Sequence, residues 1–544
     1  MQGLMMGEQL TLTTLMNHGR TINGDSKIVS VVHDNPRHEY TQAECYNRAG
    51  QLAFALRELG LEQGQTVGTL AWNDYRHMEI YFGLACSGSI CHTINPRLFP
   101  EQLVYIIGHA EDQFLLLDPM FVPLIEAIED QIPSVKGLII MSDEAHMPDT
   151  KLKNVYCYET LIAKHNANFP WPELDENTAC SLCYTSGTTG NPKGVLYSHR
   201  SLVLQSYAAC LTDSMGLKSY ETTLPVVPMF HVNAWNIPYS AALSGFKLVF
   251  PGSKMGDGQA LYEMMAREKV NYSVGVPTVW LSLLNYLEES GNTLPDLKRI
   301  GVGGSACPLS TMKAFEEKHG VTSTTGWGMT EMAPLGTFNQ LKKPREEYSD
   351  DEYDALRVRA GRPIFGVQMK IVDENDDDLP WDGVAFGALK VRGPWVVERY
   401  FKQQETALDD KGWFDTGDVA SIDADGNMII TDRTKDVIKS GGEWISSIDL
   451  ENCAMGHPEV TEAAVIGIAH PKWDERPLLL VIRAANSQVS GEEILKFMDG
   501  KIAKWWMPEE VAFVDELPYT ATGKIHKLKI REQFADYQFS ASSK

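Results

Sequence analysis

Tyr184-Thr185-Ser186-Gly187-Thr188-Thr189-Gly190-Asn191-Pro192-Lys193-Gly194 is the stretch that decides how this chain is read. Glycines, aliphatic hydroxyls and one lysine crowd into a single loop between two apolar segments. Glycine lets backbone N–H groups turn inward, the hydroxyls donate, and Lys193 adds positive charge, so the loop is suited to wrap a phosphate. The order does not match G-x-x-x-x-G-K-[ST], because Pro192 precedes Lys193 and Gly194 follows it. It is a phosphate loop of another kind. The bland alternative is a polar linker, and hydroxyls at this density argue against it.

Outward from the loop, short apolar runs alternate with helical periods. Phe114-Leu115-Leu116-Leu117, Leu138-Ile139-Ile140-Met141 and Lys247-Leu248-Val249-Phe250 read as buried strands. Leu52, Leu56 and Leu59 share a helix face that Gly60 is placed to end. Strands alternating with helices imply an α/β fold, in layers with largely parallel sheets. Glu346 to Glu352 reads as a solvated loop. After about residue 360 short strands and turns take over: Lys370-Ile371-Val372, an acidic hairpin tip from Asp373 to Asp378, and Leu389-Lys390-Val391. The acidic spacing fits no EF-hand. From about Asp432 the pattern changes again. Ala463 to Gly467 and Leu478 to Ile482 read as strands, Glu492 to Met498 as a helix, and the tail is basic at Lys524, Lys527, Lys529 and Arg531. This predicts a small α+β C-terminal domain joined near Lys435.

The chain has 544 residues, 43% hydrophobic and 22% charged, which excludes disorder, collagen and coiled coil. Its net charge of −24 argues against coating nucleic acid or anionic lipid. A polyanionic ligand must therefore meet local positive charge, helix N-termini or a metal. No stretch approaches the ~18 apolar residues that span a bilayer, and Met1 to Met16 lacks the features of a secretory signal. The 9 cysteines are scattered and read as reduced thiols in a cytoplasmic protein.

Other segments carry chemistry in a fixed order. They are Phe230-His231-Val232-Asn233-Ala234-Trp235, Gly303-Gly304-Ser305-Ala306, Thr325-Gly326-Trp327-Gly328-Met329-Thr330-Glu331, Trp413 to Asp418, Asp432-Arg433-Thr434-Lys435-Asp436, Lys439 to Ser446, and Pro518 to Lys524. Together with the phosphate loop they resemble the adenylate-forming superfamily of acyl-CoA synthetases, luciferases and peptide-adenylation domains. Within it they are similar to the fatty-acyl-CoA synthetase and 3-methylmercaptopropionate-CoA ligase branch. The resemblance covers essentially the whole chain. It departs at Trp327, where tyrosine is commoner.

The resemblance implies a large N-terminal domain, 1–433, of layered α/β subdomains plus a β-rich subdomain, and a mobile C-terminal domain, 434–544, hinged near Lys435. It implies ATP, Mg2+ and CoA. A carboxylate is a poor electrophile, so its attack on the α-phosphate of ATP gives acyl-AMP and pyrophosphate, for which charge must be gathered and geometry held. Glu331 with Thr185 would hold Mg2+, which takes few protein oxygens. The loop residues Thr185 to Gly190 and Lys193, Gly304 and Ser305 of the next turn, and Thr325 to Thr330 would hold the nucleotide. Trp327 would offer its flat face to adenine, and Asp418 would accept from the ribose hydroxyls.

His231 would orient the carboxylate or gate the acyl tunnel, with Trp235 as its door and Gly303 on the acyl side. Thr330 and Glu331 join it among the catalytic residues. Lys524 would neutralise charge during adenylation. Arg433 and Lys435 mark the hinge, and Lys439 and Trp444 lie toward the nucleotide. Rotation of the C-terminal domain would withdraw Lys524 and bring Gly441-Gly442-Glu443-Trp444 to the pantetheine channel. Short sulfur-containing acids (3-methylmercaptopropionate), medium-chain and long-chain fatty acids all fit. His231 stands where amino-acid-adenylating relatives place a carboxylate for the substrate ammonium, so an amino-acid substrate is disfavoured. Relatives that pair through the N-terminal domain suggest a homodimer.

The rivals are weaker. Gly301 to Ala306 fits G-x-G-x-x-A, but no acidic residue follows at about 20 positions to take a ribose, which disfavours a dehydrogenase. Cys180 and Cys183 have no second pair for zinc. Neither G-x-S-x-G nor H-E-x-x-H occurs. A non-catalytic acyl-nucleotide binding protein is the alternative from another class. Lys193, Glu331, Asp418, Lys435 and Lys524 are all present, which speaks against it.

Overall fold

In the computed structural model the apolar run at 114–117 is the fully buried strand Phe114–Leu117. It is flanked in parallel by Gly137–Ile140 and Thr66–Leu70. The structure describes residues 1, 3–185, 191–433, 435–440, 443–519 and 525–539, and at 443 and 444 the backbone only. The strand belongs to a seven-stranded sheet ordered Val155–Cys157, Gly137–Ile140, Phe114–Leu117, Thr66–Leu70, Ile90–Thr93, Ala179–Tyr184, Gly194–Ser198. Strands covered on both faces need apolar side chains at successive positions, hence the unbroken runs in the sequence. The last pair is antiparallel, with Tyr184 opposite Gly194. The phosphate loop thus connects an antiparallel pair at the edge of a mostly parallel sheet.

A nine-stranded sheet includes Lys247–Phe250, where the sequence placed it, beside Thr222–Pro225 and Lys27–Ser30. Its other flank runs through Tyr272–Gly275 and Arg299–Val302 to Thr322–Gly328, all parallel. It then turns antiparallel at Leu335–Phe338. The helix Gln42–Glu58 starts at a capping box of Thr41 and Glu44 and buries Leu52 and Leu56. Gly60, at φ +90°, follows its end in the left-handed conformation that glycine adopts without strain. Glu346 to Glu352 is not simply a loop. Ser349 and Glu352 form a second capping box that starts the helix Asp350–Arg357. The S-x-x-E spacing supplies the reason, since it satisfies two backbone N–H groups that a helix start otherwise leaves open.

Contacts divide the chain into Met1–Val367 with Arg392–Ala407, and Gln368–Val391 with Leu408–Lys544. Both sheets above lie in the first unit. The second holds a four-stranded sheet of Gln368–Val372, Phe386–Arg392, Phe414–Ile422 and Met428–Arg433. The Asp373–Asp378 hairpin tip is closed by the Asp373 carboxylate, which accepts the N–H groups of Asn375 and Asp377. Lys390 pairs with Asp376, so lysine supplies the counter-charge there.

The second unit also contains a five-stranded sheet around the long hairpin Val460–His470 and Asp474–Arg483, with the helices Ser447–Met455, Gly491–Met498 and Lys527–Gln533. The expected β-rich and α+β elements are both there. By contacts, however, the four-stranded sheet groups with the C-terminal chain rather than with 1–367. The Asp432 carboxylate accepts the Ser447 N–H at 2.6 Å, and Thr431 O accepts the Ser446 hydroxyl. No helix among the described residues is long and apolar enough to cross a membrane.

Candidate functional site

The base of the phosphate loop is closed by Thr185. Its N–H donates to Lys193 O at 2.9 Å, and the Lys193 N–H donates to Thr185 Oγ1 at 3.1 Å. These bonds continue the ladder of the two flanking strands by one step, so the loop leaves from a rigid base. Ser186, Gly187, Thr188, Thr189 and Gly190 lie outside the described residues.

Lys193 Nζ stands 4.7 Å from the ring centroid of Tyr400, a distance at which a cation and a ring attract. The Tyr400 hydroxyl donates to Glu331 Oε1 at 2.9 Å. Glu331 is 8% exposed, and its carbonyl accepts the Val397 N–H at 2.8 Å. Burial, with the Glu331 charge adding to it, pushes the Tyr400 hydroxyl up, so the phenol stays protonated and keeps donating. Beside it, the Tyr197 hydroxyl donates to Thr330 O at 2.5 Å. Lys193 and Glu331 therefore meet at Tyr400. Sequence reasoning missed this residue, since no motif surrounds it.

Glu331 offers a buried carboxylate with one oxygen fixed by a phenol, and Thr185 offers a hydroxyl. Hard oxygen donors, few in number, are what Mg2+ takes from proteins while keeping its waters. The residues fit that ion, which when bound neutralises phosphate charge.

On the expected adenine side, the Gly303-Gly304-Ser305 turn follows the strand Arg299–Val302, and Gly304 has φ +86°. Trp327 is half-buried, and a Cβ on Gly336 would sit 2.5 Å from its ring. A bare backbone thus lies against the indole. A Cβ on Gly328 would meet Pro334 O at 2.0 Å, and one on Gly326 would meet Phe338 at 3.0 Å, so both glycines serve close packing. Met329 N–H donates to Pro334 O at 3.0 Å. The hydroxyl of buried Thr325 donates to Arg359 O.

On the expected acyl side, His231 opens a turn in which Val232, Asn233, Ala234, Trp235 and Asn236 all have positive φ. The turn lays Trp235 against Gly303, where an added Cβ would sit 2.8 Å from the indole. Gly303 carries no positive φ, so its backbone would accept a side chain. What it lacks is room.

In the second unit, Asp418 is 2% exposed and pairs with Arg433 at 2.8 Å. The two are partners across neighbouring strands. Lys435 is exposed, and the Lys439 N–H donates to Glu475 Oε2 at 3.0 Å. Glu443 and Trp444 are placed by backbone only, in the strand Glu443–Ile445 opposite Lys439 and Ser440. Gly441, Gly442 and Lys524 lie outside the described residues.

The chain has counterparts among known proteins. The family of AMP-binding enzymes matches residues 21–401, and the C-terminal domain of AMP-binding enzymes matches 449–524. A 3-methylmercaptopropionyl-CoA ligase from Ruegeria lacuscaerulensis is 49% identical over 536 residues, covering 98% of this chain and 99% of that one. A medium-chain-fatty-acid–CoA ligase from Ectopseudomonas oleovorans is 46% identical, covering 100% of this chain and 99% of its own. Among solved structures, an anthranilate CoA ligase in complex with anthranoyl-AMP superposes with a TM-score of 0.84 at 24% identity, covering 96% of this chain and 97% of its own. That last likeness concerns the fold. On the family match and these relatives, the chain belongs to the AMP-binding enzymes.

Proposed function

We propose that the chain is an AMP-forming acid–thiol ligase acting on 3-methylmercaptopropionate, a medium-chain fatty acid, or both. ATP-dependent acyl-CoA formation is the activity of this enzyme class, with Mg2+ and CoA. The narrower choice of acid is supported by near-full-length identities of 49% and 46% to relatives named for those acids. A relative named for long-chain acids, from Thermus thermophilus, is 43% identical and gives that alternative no better support.

The observation that carries the reading is the Lys193–Tyr400–Glu331 constellation at the base of the phosphate loop. It sets a cation and a buried carboxylate around one phenol, as gathering phosphates and a divalent cation requires. Lys193 balances phosphate charge, Glu331 and Thr185 supply oxygen to the ion, and Tyr400 fixes the carboxylate. Pre-set groups of this kind stabilise developing charge without reorganising.

Trp327 takes adenine, Asp418 takes the ribose, His231 orients the carboxylate, and Trp235 with Gly303 borders the acyl chain. Lys524 enters for adenylation and is withdrawn by rotation about Lys435. Gly441, Gly442, Glu443 and Trp444 then line the thiol's channel. A cytoplasmic homodimer belongs to the same proposal. The 9 cysteines, all free and none exposed, support a reducing compartment.

The test is a panel of carboxylic acids assayed for AMP release with and without CoA. We expect 3-methylmercaptopropionate or medium-chain acids to give the highest kcat/KM. If no acid in the panel gives AMP release, the non-catalytic binding protein is the remaining reading.

A further inference from the structure

We propose that Asn233 and Asn236 are positioning residues. They hold Val232–Asn236 as a left-handed turn and so fix Trp235, and with it the wall that sizes the acid, relative to the phosphate-handling residues. This deepens the proposed function and rests on the reading that Trp235 borders the acyl chain.

The turn is unusual on physical grounds. For L-residues the left-handed conformation brings Cβ against the following carbonyl, and it is visited singly, chiefly by glycine and asparagine. Here Val232, Asn233, Ala234, Trp235 and Asn236 adopt it in succession, at φ +45°, +53°, +50°, +53° and +59°. Val232 is β-branched, the type least suited to it. Such a run persists only where the surroundings over-determine it.

The surroundings are specific, and they come from the phosphate side. At the start of the turn, Asn233 Oδ1 accepts from Ser181 Oγ at 3.2 Å and from Cys183 Sγ at 3.8 Å. Ser181 and Cys183 lie on Ala179–Tyr184, the strand that runs directly into Thr185. At the end of the turn, Asn236 Nδ2 donates to Gln205 Oε1 at 2.5 Å and to Ala333 O at 2.9 Å. Ala333 is two residues after Glu331. Both asparagines are fully buried.

The two amides thus tie one end of the strained turn to the strand entering the phosphate loop and the other to the segment bearing Glu331. Asparagine also tolerates the left-handed conformation best among residues with side chains. Trp235 stands between the two anchors and rests on Gly303. Its indole is placed by the turn, and the turn is registered to the groups that hold phosphate.

The test uses the full chain and an acid series. Asn236→Ala loses the amide and adds a backbone penalty. Asn236→Gly loses the amide but keeps left-handed freedom. We expect Asn236→Ala to raise KM for the preferred acid about tenfold or more and to flatten kcat/KM across chain lengths. KM for ATP should stay within about twofold, and Asn236→Gly should fall between wild type and alanine. If Asn236→Ala fails to fold, Gln205→Ala removes the partner of the amide without touching the turn's backbone and should show the same split, reduced.

An unchanged acid profile in these variants overturns the inference. So does a parallel rise in KM for acid and for ATP, which marks a merely structural role. Trp235→Ala separates the two layers. If it shifts the profile and the asparagine variants do not, this inference alone fails. If it leaves the profile unchanged, the reading of Trp235 as the acyl wall fails.

Discussion

Gly303→Ala tests whether the Trp235 indole borders the acid. The backbone at 303 carries no positive φ, so alanine is tolerated there on conformational grounds and only space is at stake. The new methyl would lie 2.8 Å from Trp235 Cη2, 3.2 Å from Cζ2 and 3.2 Å from Gly326 O. Carbon atoms pack at about 3.5–4.0 Å, so the indole must withdraw by roughly 1 Å. The carbonyl of Gly326 sits in a strand and cannot yield as easily, so the ring takes most of the movement. Overpacking of one methyl costs about 1–3 kcal/mol.

If the displaced ring enters the acyl channel, the longest accepted acid should lose about 10–100-fold in kcat/KM, and the shortest acids little. The assay is AMP release across a homologous acid series, with the KM for ATP measured in parallel. A length profile superimposable on wild type, in a variant with normal ATP binding, refutes the placement of the acid beside Trp235.

Three further outcomes are expected. Tyr400→Phe removes the phenol bonded to Glu331 and should raise the Mg2+ concentration for half-maximal activity about 10–100-fold; an unchanged Mg2+ dependence would sever Glu331 from the ion. Burial holds His77 and His199 down to about 4 in the folded chain, against about 6.5 when unfolded. Between those values the unfolded state binds protons the native state does not. Stability should therefore fall as pH drops from about 6.5 to about 4, by on the order of 3 kcal/mol per histidine, with no contribution from them above that window. Denaturant midpoints at about pH 7 and about pH 4.5 check this, and His199→Asn should remove part of the difference; a midpoint that does not move with pH would contradict it. Lys524→Ala should cut adenylation by about 100-fold or more while sparing thioester formation from preformed acyl-AMP, and equal loss of both half-reactions would count against domain alternation.

What could be read from the sequence was local. Phe114 to Leu117 and Leu248 to Phe250 are apolar at every position because both faces are covered, and a strand in that setting has no other pattern. The helix Asp350–Arg357 was equally local, and the Ser349–Glu352 spacing announced it against the acidic composition that suggested a loop. The site was legible where its residues share one segment, as at Thr185 and Lys193.

Tyr400 was hidden because its partners Lys193 and Glu331 lie far from it along the chain, and only the fold brings the three together. The left-handed turn was hidden for another reason. Apolar residues such as Val232 and Ala234 give no sign of positive φ, and the cue, asparagine at 233 and 236, is one that surface turns also carry. The grouping of the four-stranded sheet with the C-terminal chain depends on contacts such as Asp432 with Ser447, which no local pattern encodes.

The central claim is that the acid attacks the α-phosphate of ATP and is carried as acyl-AMP before the thiol takes it. Supplying the acid with heavy oxygen in its carboxylate and weighing the nucleotide product by mass spectrometry tests this most directly. AMP carrying one heavy oxygen is expected. Label appearing in inorganic phosphate alongside unlabelled ADP would contradict it.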